Sequence, residues 1–409
     1  MPVKRDRAVA PSFLQLVTFL AAVFALGSLG IDAVLPSLST IGSDLRLSNP
    51  NHAQFLVTSF IAGMGIGNLV GGPLSDAKGR QGVILIGLVL YAIGAIGGLL
   101  ASSLDVILVA RVVQGIGASL ASVAATALVR DLYAGDAMAR VMSFAMMVFA
   151  MMPAVAPFMG KLIASAFGWK AIFGVFGLFA GVLFVWCYLE MDDPAGRDNT
   201  VLSLRSLRRD LRKVWSFGAV RQAIYTQSFT MASLISIVTS IQPIFDKAFG
   251  RAESFPLYFA LIALAIAISG FINGKLLGRF TALRLVRWAL CMGAAISFIA
   301  ALALYAVTPG SDQGFALFML WAVLTFFSYG FLMGNLNALA LQPVGELAGM
   351  ASSLVASIPM IVASLLATGV GALFNGGPVP LVCATFVFAL LAVGCISRGH
   401  RSRPRAAAR

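Results

Sequence analysis

The chain has 409 residues, of which 59% are hydrophobic and only 11% are Asp, Glu, Lys or Arg. Soluble domains carry about 25% charged residues, so this composition excludes a water-soluble globule of this size, and a mean hydropathy of +0.93 agrees. A net charge of +13 would raise nucleic acid as a partner for a soluble protein; in a membrane protein it reads as Lys and Arg kept in cytoplasmic loops. Twelve spans of about 21 residues would take roughly 250 residues, close to the apolar share of the chain.

In chain order, Lys4, Arg5 and Arg7 precede an apolar stretch over 13–31, a pattern shared with secretory signals. The stretch is long enough to span, and Ile31-Asp32-Ala33-Val34-Leu35-Pro36 is no small-residue cleavage site, so a retained first helix is expected. Apolar runs and polar breaks predict spans over 12–37, 52–74, 81–101, 104–130, 138–165 and 168–190. A second set follows over 218–244, 255–278, 284–306, 314–341, 347–373 and 378–397. The long polar segment between the sets carries Arg197, Arg205, Arg208, Arg209, Arg212 and Lys213. The expected organisation is an all-α polytopic membrane protein: an N-terminal six-helix bundle (1–190), a cytoplasmic central loop (191–217), a C-terminal bundle (218–397) and a basic cytoplasmic tail (398–409). This is the layout of a two-bundle transporter.

Orientation follows from the cations. With both termini in the cytoplasm, only Arg46, Lys161, Lys170, Lys247 and Arg251 would lie on the outer side, and Arg111 within a span; the rest of the 29 Lys and Arg border the cytoplasm. The positive balance is therefore topology, with anionic lipid a candidate contact for the central loop and tail. The cysteines Cys187, Cys291, Cys383 and Cys395 lie in or beside apolar runs without a CxxC pattern and read as packing residues. With them and only two histidines, no metal site is expected.

A charge within a span is expensive and is by default a functional hypothesis. Asp32, deep in span one, and Arg111, early in span four, are the two candidates for proton coupling. The charge state of a membrane carboxylate is set by desolvation against nearby cations. Alternatively, Asp32 caps the outer end of span one before Pro36, and Arg111 is a hydrogen-bond hub that satisfies carbonyls of a broken helix. Between spans two and three, Gly71-Gly72-Pro73-Leu74-Ser75-Asp76-Ala77-Lys78-Gly79-Arg80-Gln81 predicts a tight turn at Pro73 and Gly79, with Asp76, Lys78 and Arg80 placed to pair across it.

That segment resembles motif A of the major facilitator superfamily. Arg111, Gln114, Gly115 and Gly117 resemble its motif B, and Ala156-Pro157-Phe158-Met159-Gly160, with Pro153 upstream, is similar to motif C of the antiporter branch. Gly30-Ile31-Asp32-Ala33-Val34-Leu35-Pro36 resembles the Asp-x-x-x-Pro element of the Bcr/CflA drug-resistance transporters, as does the segment from Val344 to Ser353. The resemblance implies a proton-driven antiporter that exports small-molecule drugs or toxic compounds across the bacterial inner membrane by alternating access. Asp32 would carry the proton and substrate step with Arg111 as its electrostatic partner. A cytoplasmic latch would comprise Gly72, Asp76, Lys78, Gly79, Arg80 and Asp131, with Asp76 meeting the start of span eleven and Arg80 pairing with Asp131. Motif C, at Pro153, Pro157 and Gly160, would let spans five and eight pack closely. Ala77, Gln81 and Lys161 depart from the usual motifs, and Phe24 stands where some multidrug relatives have a second acid.

In such a fold, spans one, four, seven and ten would line the cavity. Gln114, Gln227, Thr230, Gln242, Tyr329, Asn335 and Asn337 are then candidate substrate contacts, and Met147 and Met151 offer an adaptable apolar wall. Helix packing or interhelical hydrogen bonding is the competing role for each. The expected partners are a small-molecule substrate, protons and membrane lipid, with no nucleic acid, no cofactor and a monomeric chain. Export of a metabolite (sugar, nucleoside or amino acid) is the alternative on the same fold. An enzyme is not expected, since no nucleophile–base set or carboxylate pair is visible within the spans.

Overall fold

The structure is a computed structural model that describes residues 12–133, 135–191 and 204–398. Among the described residues, twelve helical segments are long and apolar enough to cross a membrane. The first six are Phe13–Asp44, Pro50–Lys78, Arg80–Leu100, Leu104–Leu132, Arg140–Phe167 and Lys170–Glu190. The second six are Gly218–Ala248, Ala252–Leu276, Ala282–Ala306, Asp312–Leu341, Ala348–Ala372 and Val379–Ser397. They are numbered here as spans one to twelve.

Local chemistry sets where these helices start, break and turn. Ser12 opens span one with a capping box: its hydroxyl accepts from the Gln15 amide at 3.3 Å, and the Gln15 side chain accepts from the Ser12 amide at 2.8 Å. The regular helix stops at Asp32, a short 3-10 turn follows over Leu35–Ser37, and helix resumes over Leu38–Asp44. Pro36 explains the break: it has no N–H to offer the carbonyl four residues back, which is that of Asp32. Span ten breaks as well, between Asp312–Tyr329 and Met333–Leu341. There Gly330 lies so close to span eight that an added Cβ would come within 2.9 Å of the Gly270 nitrogen.

Two sequence expectations need correction. Pro73 does not form the turn between spans two and three; it lies inside the helix Phe55–Lys78. A proline removes one helical hydrogen bond and can kink a helix without ending it. The turn is made by Gly79 at φ 88°, and the next helix starts at Arg80. The central segment is also more than a loop, because Leu204–Ser216 is a helix. Its Val214 is buried against Val220, Ile224, Val344 and Leu354, and Leu211 packs against the same cluster, so this basic helix docks an apolar edge on spans seven and eleven. Residues 192–203 of the predicted loop and 399–409 of the predicted tail lie outside the described residues.

Each set of six spans packs chiefly on itself, and the two bundles meet along span two against span eleven and span five against span eight. Glycines allow the closest approaches. Gly115 of span four sits on the backbone of Phe60, and an added Cβ would lie 2.9 Å from the Met64 nitrogen. The two faces of the protein differ. On the face away from motif A the bundles are joined by Asn51 Nδ2 to the Phe374 carbonyl (2.8 Å), Thr368 to Thr58 (2.9 Å), Ser240 to Gln54 Oε1 (3.1 Å) and Lys161 Nζ to the Glu253 carbonyl (2.8 Å). On the motif A face, a cleft of about 380 Å³ separates Asp76 and Arg80 from Gly349, Ser352 and Ser353 at the start of span eleven.

Gly115→Leu should therefore overpack the span two–span four contact at a cost of about 1–3 kcal/mol. Gly181→Leu, where nothing lies within 4 Å of the added Cβ, should be neutral. Thermal unfolding of the two purified variants checks this; equal midpoints would contradict the packing.

Candidate functional site

Asp32 and Arg111 are the buried charged residues among those described, at 5% and 0% exposure. Their surroundings differ in kind. The Arg111 guanidinium donates through Nε to the Leu56 carbonyl at 2.9 Å, through Nη1 to Gln114 Oε1 at 2.8 Å, and through Nη2 to the Gly30 carbonyl. Its carbon stands 4.3 Å from the centroid of the Phe60 ring and 5.8 Å from that of Phe173. One side chain of span four thus grips the backbones of spans one and two and faces span six.

The energetics favour this arrangement. Burying an ion costs several kcal/mol after relaxation, and hydrogen bonds to a charged group return about 1.5–3 kcal/mol each. Three such bonds and a desolvated cation–π contact of about 2 kcal/mol offset the cost. Gly30 makes room for the ring, since a Cβ there would lie 2.5 Å from Phe60 Cζ. Tyr91 closes the same neighbourhood by donating to the Leu26 carbonyl at 3.1 Å.

Asp32 has far less. Its carboxylate accepts one hydrogen bond, from Ser28 Oγ at 2.9 Å, although an ionised carboxylate has about four acceptor positions. No ion pair joins it to Arg111 among the described residues; the cation reaches span one through the Gly30 carbonyl, two residues before Asp32. The hydrogen-bond hub weighed for Arg111 is thus present, and its link to Asp32 runs through the backbone. The charge of Asp32 has no fixed cationic partner to hold it.

The motif residues form a second group, at the end of the cleft. Arg80 lies 2.5 Å from Asp76 and 2.7 Å from Asp131, and it also donates to Ser75 Oγ at 3.0 Å. Asp76 faces the start of span eleven across the cleft that Gly72 also lines. Lys78 is exposed at the end of span two, just before Gly79. In span five, Pro153 and Pro157 lie inside the helix. Gly160 abuts span one: an added Cβ would lie 2.9 Å from Ala33 Cα, next to Asp32. Spans five and eight do pack together, but this glycine serves the break in span one.

The substrate candidates are dispersed. Gln114 is fully buried as a partner of Arg111. In the C-terminal bundle, Tyr329 donates to Ser233 Oγ at 2.7 Å, and Asn335 Nδ2 donates to Asn273 Oδ1 and the Phe331 carbonyl, both at 2.9 Å. Gln227 is buried with its Oε1 unpartnered. Met147 and Met151 lie on an exposed apolar stripe of span five with Phe144, Phe158 and Leu162, apart from these buried polar groups. Sequence reading missed Ser28, Phe60 and the two carbonyls. Ser28 carried a usable signal, a hydroxyl four residues before an intramembrane acid, on the same helical face; the carbonyls carried none.

The family model for the Major Facilitator Superfamily matches residues 18–367. The chain belongs to this superfamily. A bicyclomycin resistance protein homolog of Haemophilus influenzae is 28% identical over 91% of this chain and 92% of its own. A chloramphenicol resistance protein of Pseudomonas aeruginosa is 29% identical over 96% and 93%. The xylose transporter of E. coli, in a partially occluded inward-open structure, superposes with a TM-score of 0.73 at 13% identity, over 97% of this chain and 99% of that one. The superfamily fold therefore extends over essentially the whole chain, with both Asp32 and Arg111 inside the matched region.

Arg111→Lys should insert but lose stability, because a lysine has no planar fork with which to span two carbonyls and a glutamine. Each hydrogen bond to the charged fork that is lost costs about 1.5–3 kcal/mol, and Phe60→Leu should cost less, about 2 kcal/mol at most. Thermal unfolding of purified protein ranks the two variants against the wild type; an Arg111→Lys variant as stable as the wild type would show that the fork holds nothing together.

Proposed function

We propose that this superfamily member is a proton-coupled antiporter that exports small-molecule drugs or toxic compounds across the bacterial inner membrane, with both termini in the cytoplasm. The observation that carries the coupling is Asp32: a buried carboxylate at a helix break, bonded among the described residues to one hydroxyl and to no cation. A carboxylate without a fixed partner is free to exchange its proton against a substrate that reaches it. Proton and substrate then compete for one site, and by linkage the downhill entry of one drives the exit of the other. The proton gradient supplies the energy, and no cofactor takes part.

The relatives named for bicyclomycin and chloramphenicol resistance support drugs as the substrate class. The sorting of Lys and Arg along the sequence supports motif A on the cytoplasmic side. With that orientation, bonds between the bundles seal the periplasmic face and the cleft faces the cytoplasm, the arrangement in which an exporter loads its substrate. Export would proceed by rocking the bundles on their two seams, with the Arg80 pairs to Asp76 and Asp131 as the cytoplasmic latch. The small molecule, protons and lipid are its partners.

In a drug-sensitive bacterial host, the wild type should confer resistance to chloramphenicol or bicyclomycin. In everted vesicles from that host, adding the drug should dissipate an imposed proton gradient, and Asp32→Asn should abolish that response at unchanged expression. Wild-type gradient dissipation by Asp32→Asn would place the coupling elsewhere.

A further inference from the structure

The face opposite motif A carries the cations Arg46, Lys161, Lys170, Lys247 and Arg251, and three of them are engaged. Lys161 donates to the Glu253 carbonyl at 2.8 Å, Lys170 lies over the Trp169 ring at 5.6 Å, and Arg251 pairs with Asp312 at 2.6 Å. Arg46 and Lys247 enter no ion pair among the described residues. They come from different bundles, Arg46 from the connection after span one and Lys247 from the end of span seven, yet both line one cleft of about 480 Å³. Ser39, Ser43 and Asn51 line it as well, and so does Gln54.

Gln54 adds an independent indication. It is 2% exposed, its Oε1 accepts from Ser240 at 3.1 Å, and its Nε2 donor has no partner. A buried amide donor normally finds an acceptor, and an orphan calls for an explanation. The nearby acid Asp44 does not supply one: its carboxylate accepts from Trp169 Nε1 at 2.8 Å, and neither it nor Asp246 lines the cleft. The cleft thus combines two cations outside any ion pair with the unused buried donor of Gln54, and no carboxylate lies among its described walls. The Ser39, Ser43 and Asn51 side chains donate to Gln242 Oε1 and to the Thr40 and Phe374 carbonyls.

We infer that this cleft is a binding site for a small anion bearing a phosphate or carboxylate group, held jointly by Arg46 and Lys247 from the two bundles. The volume admits more than a bare inorganic ion, so a free organic anion and a lipid phosphate headgroup share the required chemistry. An anion bridging the bundles there ties them together at the face where they are already joined. It acts as an effector that favours this conformation, at a site separate from Asp32. The inference does not depend on proton coupling, because binding is read without transport.

The test uses the full-length purified chain in phosphatidylcholine nanodiscs, titrated with inorganic phosphate against chloride at constant ionic strength, which removes general screening. Ligand that binds only the folded state raises the unfolding midpoint in a saturable way. Arg46→Asn, whose new side chain tolerates the φ of 49° at this position, and Lys247→Gln should each weaken the apparent affinity by about two- to fivefold, the scale of a part-exposed ion pair. The double variant should lose saturation. Both side chains are exposed, so the variants should elute and unfold like the wild type without anion. If a lipid headgroup is the occupant, phosphatidylglycerol nanodiscs should stabilise the wild type but not the double variant, and phosphate should then add nothing. Stabilisation by phosphate or phosphatidylglycerol that is equal in the double variant, or absent with both, would overturn the inference.

Discussion

The fork of Arg111 is the constraint on which the N-terminal bundle depends. A guanidinium cannot shed its charge in a protein interior, so its donors must be met wherever it is buried. Here they are met by backbone carbonyls of spans one and two and by Gln114 on its own helix, one turn away. This fixes span one against span two near Gly30, and Gly30 and Gly115 are glycines because a ring and a backbone pass where their side chains would be. With the cation committed in this way, Asp32 retains Ser28 alone among the described residues. Within the pair, one charge is hydrogen-bonded at all three nitrogens and the other at a single hydroxyl; this asymmetry supports the proposal that the carboxylate is the responsive group.

The two faces extend that logic to the whole molecule. The face away from motif A is held by a few bonds between small polar side chains and backbone, such as Thr58 with Thr368 and Asn51 with Phe374. Each such bond contributes about 0.5–1.5 kcal/mol net, so separating the bundles there is inexpensive once the long seams have turned. Gly160 and Lys161 are adjacent in span five, one against Ala33 beside Asp32 and the other on Glu253 of the opposite bundle. A change at the break in span one therefore lies one residue from a contact that seals this face.

Much of this was legible in the sequence, for identifiable reasons. Membrane spans are long apolar runs, and the polar breaks between them are unambiguous in a chain with so little charge. The break after Asp32 was not anticipated, since the first span was expected to run over 12–37; Pro36, which cannot serve the Asp32 carbonyl, accounts for it. Other features turn on tertiary context. Pro73 looked like a turn residue but is carried within a helix, while Gly79 alone makes the turn. Gly330, at the break in span ten, lies close against span eight, a contact that no local pattern announces. Arg111 and Asp32 could be singled out as costly intramembrane charges, but that the arginine spends its donors on carbonyls rather than on the aspartate could be read only from the packing. Gln114, Tyr329 and Asn335 were likewise visible as polar residues in apolar spans, while their commitments to Arg111, Ser233 and Asn273 were not.

The central claim is that Asp32 is a buried carboxyl group that takes up and releases a proton without a fixed counter-ion. Infrared difference spectroscopy of the purified protein, recorded as pH is stepped across the range in which the protein stays folded, observes this directly. A carboxylic acid carbonyl band from a buried group should appear and vanish with pH in the wild type and be missing from Asp32→Asn. A spectrum with no titrating buried acid, or a band that persists unchanged in Asp32→Asn, would contradict the claim.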